Sequence, residues 1–238
     1  MEKISVANLT IDIVRKDIKN MHLAVYPPMG RIRLSVPKNT DNEVMRLFTI
    51  SKIGWIKKHI KNFNTQPRET PREFISGESH YLFGKRYILN VIEHKGFNKV
   101  ELKGTKAINL FIKPNTSTEE KGYIMREWQR NQLKNIIPAL IIKWEKIIGV
   151  NSNDWGVKQM KTKWGTCNIE KKRIWLNLEL SKKPIVCLEY IIAHELIHLL
   201  ERNHNDKFLA YMNQFLPKWR LYKEELNNLP ISHNDWGY

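Results

Sequence analysis

Two histidines and a glutamate lie close together in the last third of the chain, in the order His194, Glu195 and His198, which forms an HExxH pattern. Residues four apart on a helix project from one face, one turn from each other, so the two imidazoles can bind one tetrahedral zinc ion. Glu195 lies beside them, where its carboxylate can reach a metal-bound water rather than the metal. The spacing therefore predicts metal-assisted hydrolysis with Glu195 as the general base.

A third histidine, His204, follows His198 by six residues. We expect the helix to end near Arg202 and Asn203 to adopt a left-handed conformation that turns the chain back to the metal. Three histidine ligands leave a fourth position open for water, as in catalytic zinc sites, whereas structural sites are usually closed by four protein ligands. Zinc is therefore the predicted cofactor, and Ni²⁺, Mn²⁺ or Co²⁺ could replace it.

The elements around these residues follow from the hydrophobic pattern. Pro184 suits the first position of a helix, so the helix that carries the histidines is expected to begin there. Trp155–Asn168 and Arg173–Leu180 are predicted to form two strands of a short antiparallel sheet beside that helix. A long helix is expected to begin after Ser117, which starts a capping-box pattern, and to end at Gly149.

The N-terminal half alternates polar and apolar residues over short runs, which predicts strands, and one helix is expected after Thr40. The composition changes near residue 115. The predicted fold is therefore α+β, with a β-rich region containing one helix over residues 1–114 and a mainly helical domain over residues 115–238.

Charge is the unusual feature of the composition, since 40 Lys and Arg against 24 Asp and Glu give a formal net charge of +16. Such a surplus favours anionic partners such as nucleic acid, nucleotides or acidic protein segments, but a Lys-rich proteome would also produce it. Residues 151–183 hold eight basic residues against three acidic ones. We name these eight residues the basic lip: Lys158, Lys161, Lys163, Lys171, Lys172, Arg173, Lys182 and Lys183.

Several residues near the histidines are candidates for binding substrate. Lys161 and Lys163 are expected to point the same way and to contact substrate anions. Trp164 and Gly165 are candidates for shaping a substrate groove, and Tyr211 for donating a hydrogen bond to a developing oxyanion. Packing in the core is the alternative for Trp164 and Tyr211.

The compartment follows from what the chain lacks. Cys167 and Cys187 form no CxxC pair and no disulfide framework. The N-terminal 20 residues contain no uninterrupted apolar core, and the two most apolar windows contain charged residues. A cytoplasmic protein without a membrane span is therefore expected, and the sequence indicates no oligomeric state.

The segment Trp155–Trp219 resembles the YgjP-like family of metal-dependent hydrolases, which is related to the SprT and WLM metallopeptidase domains. Residues 161–167 are similar to the family's WGSC strand, with Thr166 in place of the usual serine; residues 175–177 are similar to its LN strand, and residues 194–208 to its metal-binding segment. The resemblance implies a zincin-like domain with three histidine ligands, a catalytic glutamate and a strand that pairs with extended substrate. It does not identify the substrate.

Three functions follow. A zinc metallopeptidase is favoured. A metal-dependent phosphohydrolase acting on nucleotides is the second, because zinc also polarises phosphoryl oxygens. The third is a basic nucleic-acid-associated protein with a zinc site. The resemblance to the family's relatives implies that the first and third functions could be combined in one enzyme that cleaves DNA-bound proteins. A metzincin is disfavoured, because Glu201 stands where that class has the glycine at which its chain turns.

Overall fold

The computed structural model describes residues 2–26, 30–65, 70–160 and 163–229. These residues form two compact units, the first containing residues 2–26 and 30–65 and the second the described residues from 70 to 229. Sheets predominate in the N-terminal part and helices in the C-terminal part. The predicted α+β class is therefore confirmed.

The first unit is a four-stranded sheet packed against two helices. The strand order is β1-β2-β4-β3, with β2 and β4 parallel and the other pairs antiparallel. Alternate strand residues such as Ile32 and Leu34 are buried and form a core with Met45 and Ile56 of the helices. The elements are β1 (Glu2–Val6), β2 (Leu9–Lys16), β3 (His22–Tyr26), β4 (Arg31–Pro37), α1 (Asn42–Ser51) and α2 (Ile53–Thr65).

The single helix expected after Thr40 is thus two helices separated at Lys52. Asp41 caps the first helix, because its carboxylate accepts from the backbone N–H of Glu43. The Thr40 hydroxyl donates instead to the carbonyl oxygen of Pro37. The N-cap of the first helix is therefore Asp41, one residue after Thr40.

The second unit begins with another four-stranded sheet, of order β5-β6-β8-β7. Its buried residues Leu89 and Leu110 form one core with Met125 of a long helix, α3. The backbone N–H of Phe83 also donates to the carbonyl oxygen of Ser181, close to the helix that carries the histidines. The elements are β5 (Ser79–Leu82), β6 (Lys85–Glu93), β7 (Lys99–Lys103), β8 (Ala107–Ile112) and α3 (Thr118–Ile148).

These shared contacts explain why the division between compact units differs from the boundary predicted near residue 114. The sheet over residues 79–112 buries its apolar face against α3, so it belongs with the C-terminal elements. The ends of α3 are as expected. The Ser117 hydroxyl accepts from the N–H of Glu120, and Gly149 ends the helix with a left-handed φ of 78°.

A third, smaller sheet leads into the metal-binding segment. Its order is β10-β11-β9, and β10 and β11 are antiparallel whereas β9 and β11 are parallel. The sheet is therefore mixed, not purely antiparallel as predicted, because the expected strand over residues 155–168 is two strands on either side of β11. The elements are β9 (Asp154–Lys158), β10 (Gly165–Asn168), β11 (Arg173–Asn177), a 3-10 helix (Leu178–Lys182), α4 (Ile185–Ile197), α5 (Asp206–Phe215) and α6 (Trp219–Asn228).

Helix α4 is the most deeply buried helix of the second unit. Leu188, Ile192 and Leu196 are fully excluded from solvent, and the helix packs against α3, α6 and the β10–β11 hairpin. Burying each such side chain stabilises the fold by about 1.5–3 kcal/mol, so α4 is held firmly in one orientation. Within the described residues, no helix is long and apolar enough to cross a membrane.

The start of α4 provides a test of how the second sheet fixes this helix. A Cβ atom added to Gly84 would lie 2.8 Å from Cγ of Pro184, whereas one added to Gly77 would have no atom within 4 Å. Both glycines have positive φ, so alanine at either costs about 1–2 kcal/mol of backbone strain. Gly84→Ala should lower the free energy of unfolding in urea by about 1–3 kcal/mol more than Gly77→Ala. Equal losses would mean that Gly84 and Pro184 are not tightly packed.

Candidate metal centre

The imidazoles of His194, His198 and His204 converge at the end of α4. One ligand atom of each lies within 4.8 Å of the other two, and Nε2 of His194 is 3.0 Å from Nε2 of His204. Nitrogen atoms bound to one tetrahedral zinc ion at about 2.0–2.1 Å are about 3.3 Å apart. The three imidazoles therefore fit the donor set of a single metal ion, as the spacing of the histidines predicts.

The chain returns to the histidines by a different turn from the one predicted. Helix α4 ends at Ile197. The backbone N–H of Glu201 donates a hydrogen bond to the carbonyl oxygen of Ile197. The Glu201 carboxylate then accepts from the N–H of Asn203, whose φ is not positive. The expected left-handed Asn203 is therefore wrong, because the side chain of Glu201 stabilises the turn. Asn205 caps α5 directly after His204 by accepting from the N–H of Phe208.

Hydrogen bonding fixes which nitrogen of His198 is available. Its Nδ1 lies 3.0 Å from the carbonyl oxygen of Glu201. A carbonyl oxygen can only accept, so Nδ1 carries the proton and Nε2 keeps its lone pair for a metal. This is the usual way in which an outer hydrogen bond orients a metal-binding histidine.

An aromatic ring supports all three imidazoles. The ring centroid of Phe208 lies 4.9 Å from that of His194, 4.8 Å from that of His198 and 4.7 Å from that of His204. Phe208 is only 2% exposed, so its ring is held by the core. The imidazoles therefore rest on a rigid apolar surface that limits their rotation.

Burial keeps these imidazoles in the form that a metal requires. Burial, together with the neighbouring imidazoles of His198 and His204, lowers the pKa of His194 to about 3. Burial also lowers the pKa of His198 and of His204. All three are therefore neutral at pH 7, and a metal ion would not have to displace protons from them.

Glu195 is the one buried carboxylate beside the three histidines among the described residues. It is 5% exposed, and burial raises its pKa from the ordinary value of 4.5 to about 8 in the metal-free protein. It lines the same cleft as the three histidines without belonging to their cluster of ligand atoms. This arrangement suits a proton carrier near a metal better than a ligand.

The cleft that contains these groups has a volume of about 950 Å³. Residues 165–168, which form β10, line one side, and Leu199 and Leu200 line another. Trp164 and Gly165 border the cleft, as expected for groove residues, and so does the exposed Lys163. Lys161 lies outside the described residues.

Tyr211 does not line the cleft, contrary to the expectation of an oxyanion donor. Its ring is partly buried and stacks on Phe215 with centroids 6.0 Å apart. Tyr190, which sequence reasoning did not single out, lies in the cleft instead, one helical turn before His194. Its position four residues before His194 in a helical segment was the available signal.

Most of the basic lip points elsewhere. Lys158 and Arg173 lie over the ring of Trp175, and Lys182 pairs with Glu179. Lys183 is 3% exposed, with its ammonium 5.9 Å from the centre of the Trp164 ring. Among the described members, only Lys163 lines the cleft, so the lip is not one continuous charged surface there.

A family model described as the YgjP-like metallopeptidase domain matches residues 19–229. The chain therefore belongs to the YgjP-like family, and the resemblance found in its motifs is confirmed. The family defines a metal-dependent peptidase domain, which agrees with a cluster of three histidines in an open cleft.

Two solved structures are similar over part of the chain. One is the metallopeptidase zymogen of Pyrococcus abyssi abylysin, which is 17% identical and has a TM-score of 0.36. The match covers 38% of this chain and 90% of that chain. The other is the metallopeptidase zymogen of Methanocaldococcus jannaschii jannalysin, with 23% identity, 38% and 92% covered, and a TM-score of 0.35. No curated protein matches the chain significantly.

The buried carboxylate predicts a pH-dependent stability cost in the metal-free protein. The pKa of Glu195 is raised to about 8 in the folded state, so folding favours its protonated form, and stability is lost as pH rises from about 4.5 to about 8. Glutamine does not titrate. Glu195→Gln should therefore gain stability over the wild type between pH 5 and pH 8, by at most about 1.4 kcal/mol per pH unit, in urea unfolding with a chelator present. A difference that is independent of pH would contradict the burial of this charge.

Proposed function

We propose that this chain is a zinc-dependent peptidase in which His194, His198 and His204 bind the metal and Glu195 is the general base. The convergence of three neutral imidazoles beside a buried carboxylate, inside an open cleft, is the observation that carries the proposal. A three-histidine donor set suits zinc and leaves a position for water or substrate, while Ni²⁺, Mn²⁺ or Co²⁺ could bind the same ligands.

The chain's own residues account for the proton transfers. Bound zinc supplies Lewis acidity, which polarises a carbonyl group and makes water acidic near neutral pH. The Glu195 carboxylate accepts a proton from the attacking water and then donates it to the nitrogen of the leaving amine. Burial raises the pKa of Glu195 to about 8 in the metal-free protein, and the positive charge of bound zinc would lower that pKa, so that the carboxylate could accept a proton near neutral pH.

Strand β10 supports a peptide as the substrate. It is one of the two edge strands of its sheet, and residues 165–168 line the cleft. An edge strand presents backbone N–H and C=O groups to which an extended peptide can add as a further strand. This recognition needs no particular side chain, so it favours an unfolded or extended protein segment.

Two variants separate the roles of metal ligand and general base. His198→Ala should lose stoichiometric zinc and activity, because only two ligands remain. Glu195→Gln should keep its zinc and its fold but lose about 10²–10⁴-fold in kcat, the range for general acid–base catalysis. The zinc content and the rate of casein hydrolysis are measured for both variants and the wild type. Nucleoside triphosphates are assayed as alternative substrates. Loss of zinc from Glu195→Gln would make Glu195 a ligand and overturn the mechanism, and triphosphate hydrolysis without casein cleavage would favour a phosphohydrolase.

The preference for an anionic substrate can be tested at Lys163, which is exposed at the cleft. If it contacts substrate anions, as the cleft position allows, Lys163→Gln should raise KM and weaken the dependence of KM on salt, because charge contacts are screened over about 10 Å at roughly 0.1 M salt. Lys158→Gln is the matched control, since Lys158 lies over Trp175 and does not line the cleft. Identical salt dependence in both variants would mean that Lys163 is only a solvated surface charge.

A further inference from the structure

The backbone of Gly165 lies directly against the side chain of Glu195. A Cβ atom at Gly165 would be 2.7 Å from Oε1 and 2.8 Å from Cγ of Glu195, and 2.9 Å from Cγ2 of Ile191. Carbon atoms do not approach that closely without displacing something. The start of β10 therefore forms a wall that restricts the rotamers of the Glu195 side chain.

Backbone conformation does not explain the glycine at this position. The φ angle of Gly165 is not positive, so any amino acid could adopt its backbone angles. It pairs with Leu176 in a regular antiparallel register. Glycine is therefore needed for the close approach of β10 to the helix, and not for a turn.

Asn177 fixes the chain immediately before Gly165. Its side-chain amide donates to the carbonyl oxygens of Met160 (3.0 Å) and Lys163 (2.7 Å). Its side-chain oxygen accepts from the N–H groups of Met160 (3.3 Å) and Glu179 (3.2 Å), and its own N–H donates to the carbonyl oxygen of Trp164. Asn177 is 4% exposed, and all four of its side-chain hydrogen-bonding positions are used.

We propose that Gly165 and Asn177 are positioning residues for Glu195: Asn177 holds the entry to β10 in place, and the bare backbone at Gly165 then confines the Glu195 carboxylate to the cleft. The proposal rests on the proposed function, in which Glu195 is the general base. It assigns Gly165 a role in aligning the enzyme's own carboxylate, in addition to its place at the border of the groove.

The consequence is a loss of rate with little change in binding. A methyl group at Gly165 must displace the Glu195 side chain, because Ile191, one turn earlier on the same helix, would also lie only 2.9 Å from it. Misplacing a catalytic group by about 1 Å costs up to about 100-fold in rate. Gly165→Ala should therefore lower kcat by about 10- to 100-fold, while KM changes by less than about threefold and the zinc content stays at that of the wild type.

Gly156 offers a matched control in β9 of the same sheet. A Cβ atom there would collide with the Trp175 ring, whose atoms are the three nearest, so Gly156→Ala is at least as crowded but is not directed at Glu195. It should lower the unfolding temperature without a specific loss of kcat. Asn177→Ala tests the anchor, and it should lower kcat with zinc retained, since the hydrogen bonds of the Asn177 side chain are made with Met160, Lys163 and Glu179.

A double-mutant cycle with Glu195→Ala decides whether Gly165 acts through Glu195. Alanine removes both Glu195 atoms that the added methyl group would meet, so Gly165→Ala should lower the unfolding temperature less in that background than in the wild type. This thermal comparison keeps the test decisive if Gly165→Ala alone folds poorly. A crystal structure of Gly165→Ala should show a displaced Glu195 carboxylate.

The outcomes separate this inference from the proposed function. Wild-type kcat in Gly165→Ala, or an equal loss of unfolding temperature in the wild-type and Glu195→Ala backgrounds, would overturn the positioning role while leaving the peptidase intact. A zinc-loaded wild type that cleaves no peptide would overturn the proposed function, and the catalytic role inferred for Gly165 with it.

Discussion

The site depends on one constraint, which is that ionisable side chains are carried by a helix that is otherwise part of the apolar core. Burial makes charge costly there, so His194 stays neutral and Glu195 holds a proton more tightly than an exposed glutamate. Both effects prepare the groups for their roles, because a metal needs neutral imidazoles and a general base needs proton affinity near neutral pH. The cost is offset by fully buried neighbours on the same helix, such as Leu188 and Leu196.

The rest of the second unit serves to hold this helix and to approach it from two sides. Phe208, brought in by α5, lies against the three imidazoles, and the capping of α5 by Asn205 sets where His204 arrives. On the other side, β10 reaches Glu195 through a residue with no side chain. His194 and Glu195 thus share α4, but the imidazoles and the carboxylate are contacted by different neighbours, Phe208 of α5 and the start of β10.

The parts that were predicted from the sequence are those set by local rules. The pairing of His194 with His198 follows from helical spacing, and the limits of α3 follow from Ser117 and Gly149. The sequence predicts the turn before His204 at Asn203. The hydrogen bond that the Asn203 N–H donates to the Glu201 carboxylate has no sequence pattern by which it could be predicted. The break between β9 and β10 was missed for a similar reason, since it is stabilised by Asn177, which is 14 to 17 residues away. The basic lip is not one surface at the cleft because Lys158 and Arg173 lie over the Trp175 ring and Lys182 pairs with Glu179. Such contacts cannot be detected by counting charges along the sequence.

Anomalous diffraction at the zinc absorption edge, from crystals of the full chain grown with zinc, tests the assignment of the metal ligands most directly. One peak is expected at about 2.0–2.1 Å from a ring nitrogen of each of His194, His198 and His204, with the Glu195 carboxylate outside the coordination sphere. Zinc bound elsewhere, or bound through the Glu195 carboxylate, would contradict the assignment of ligands and base on which the proposed mechanism rests.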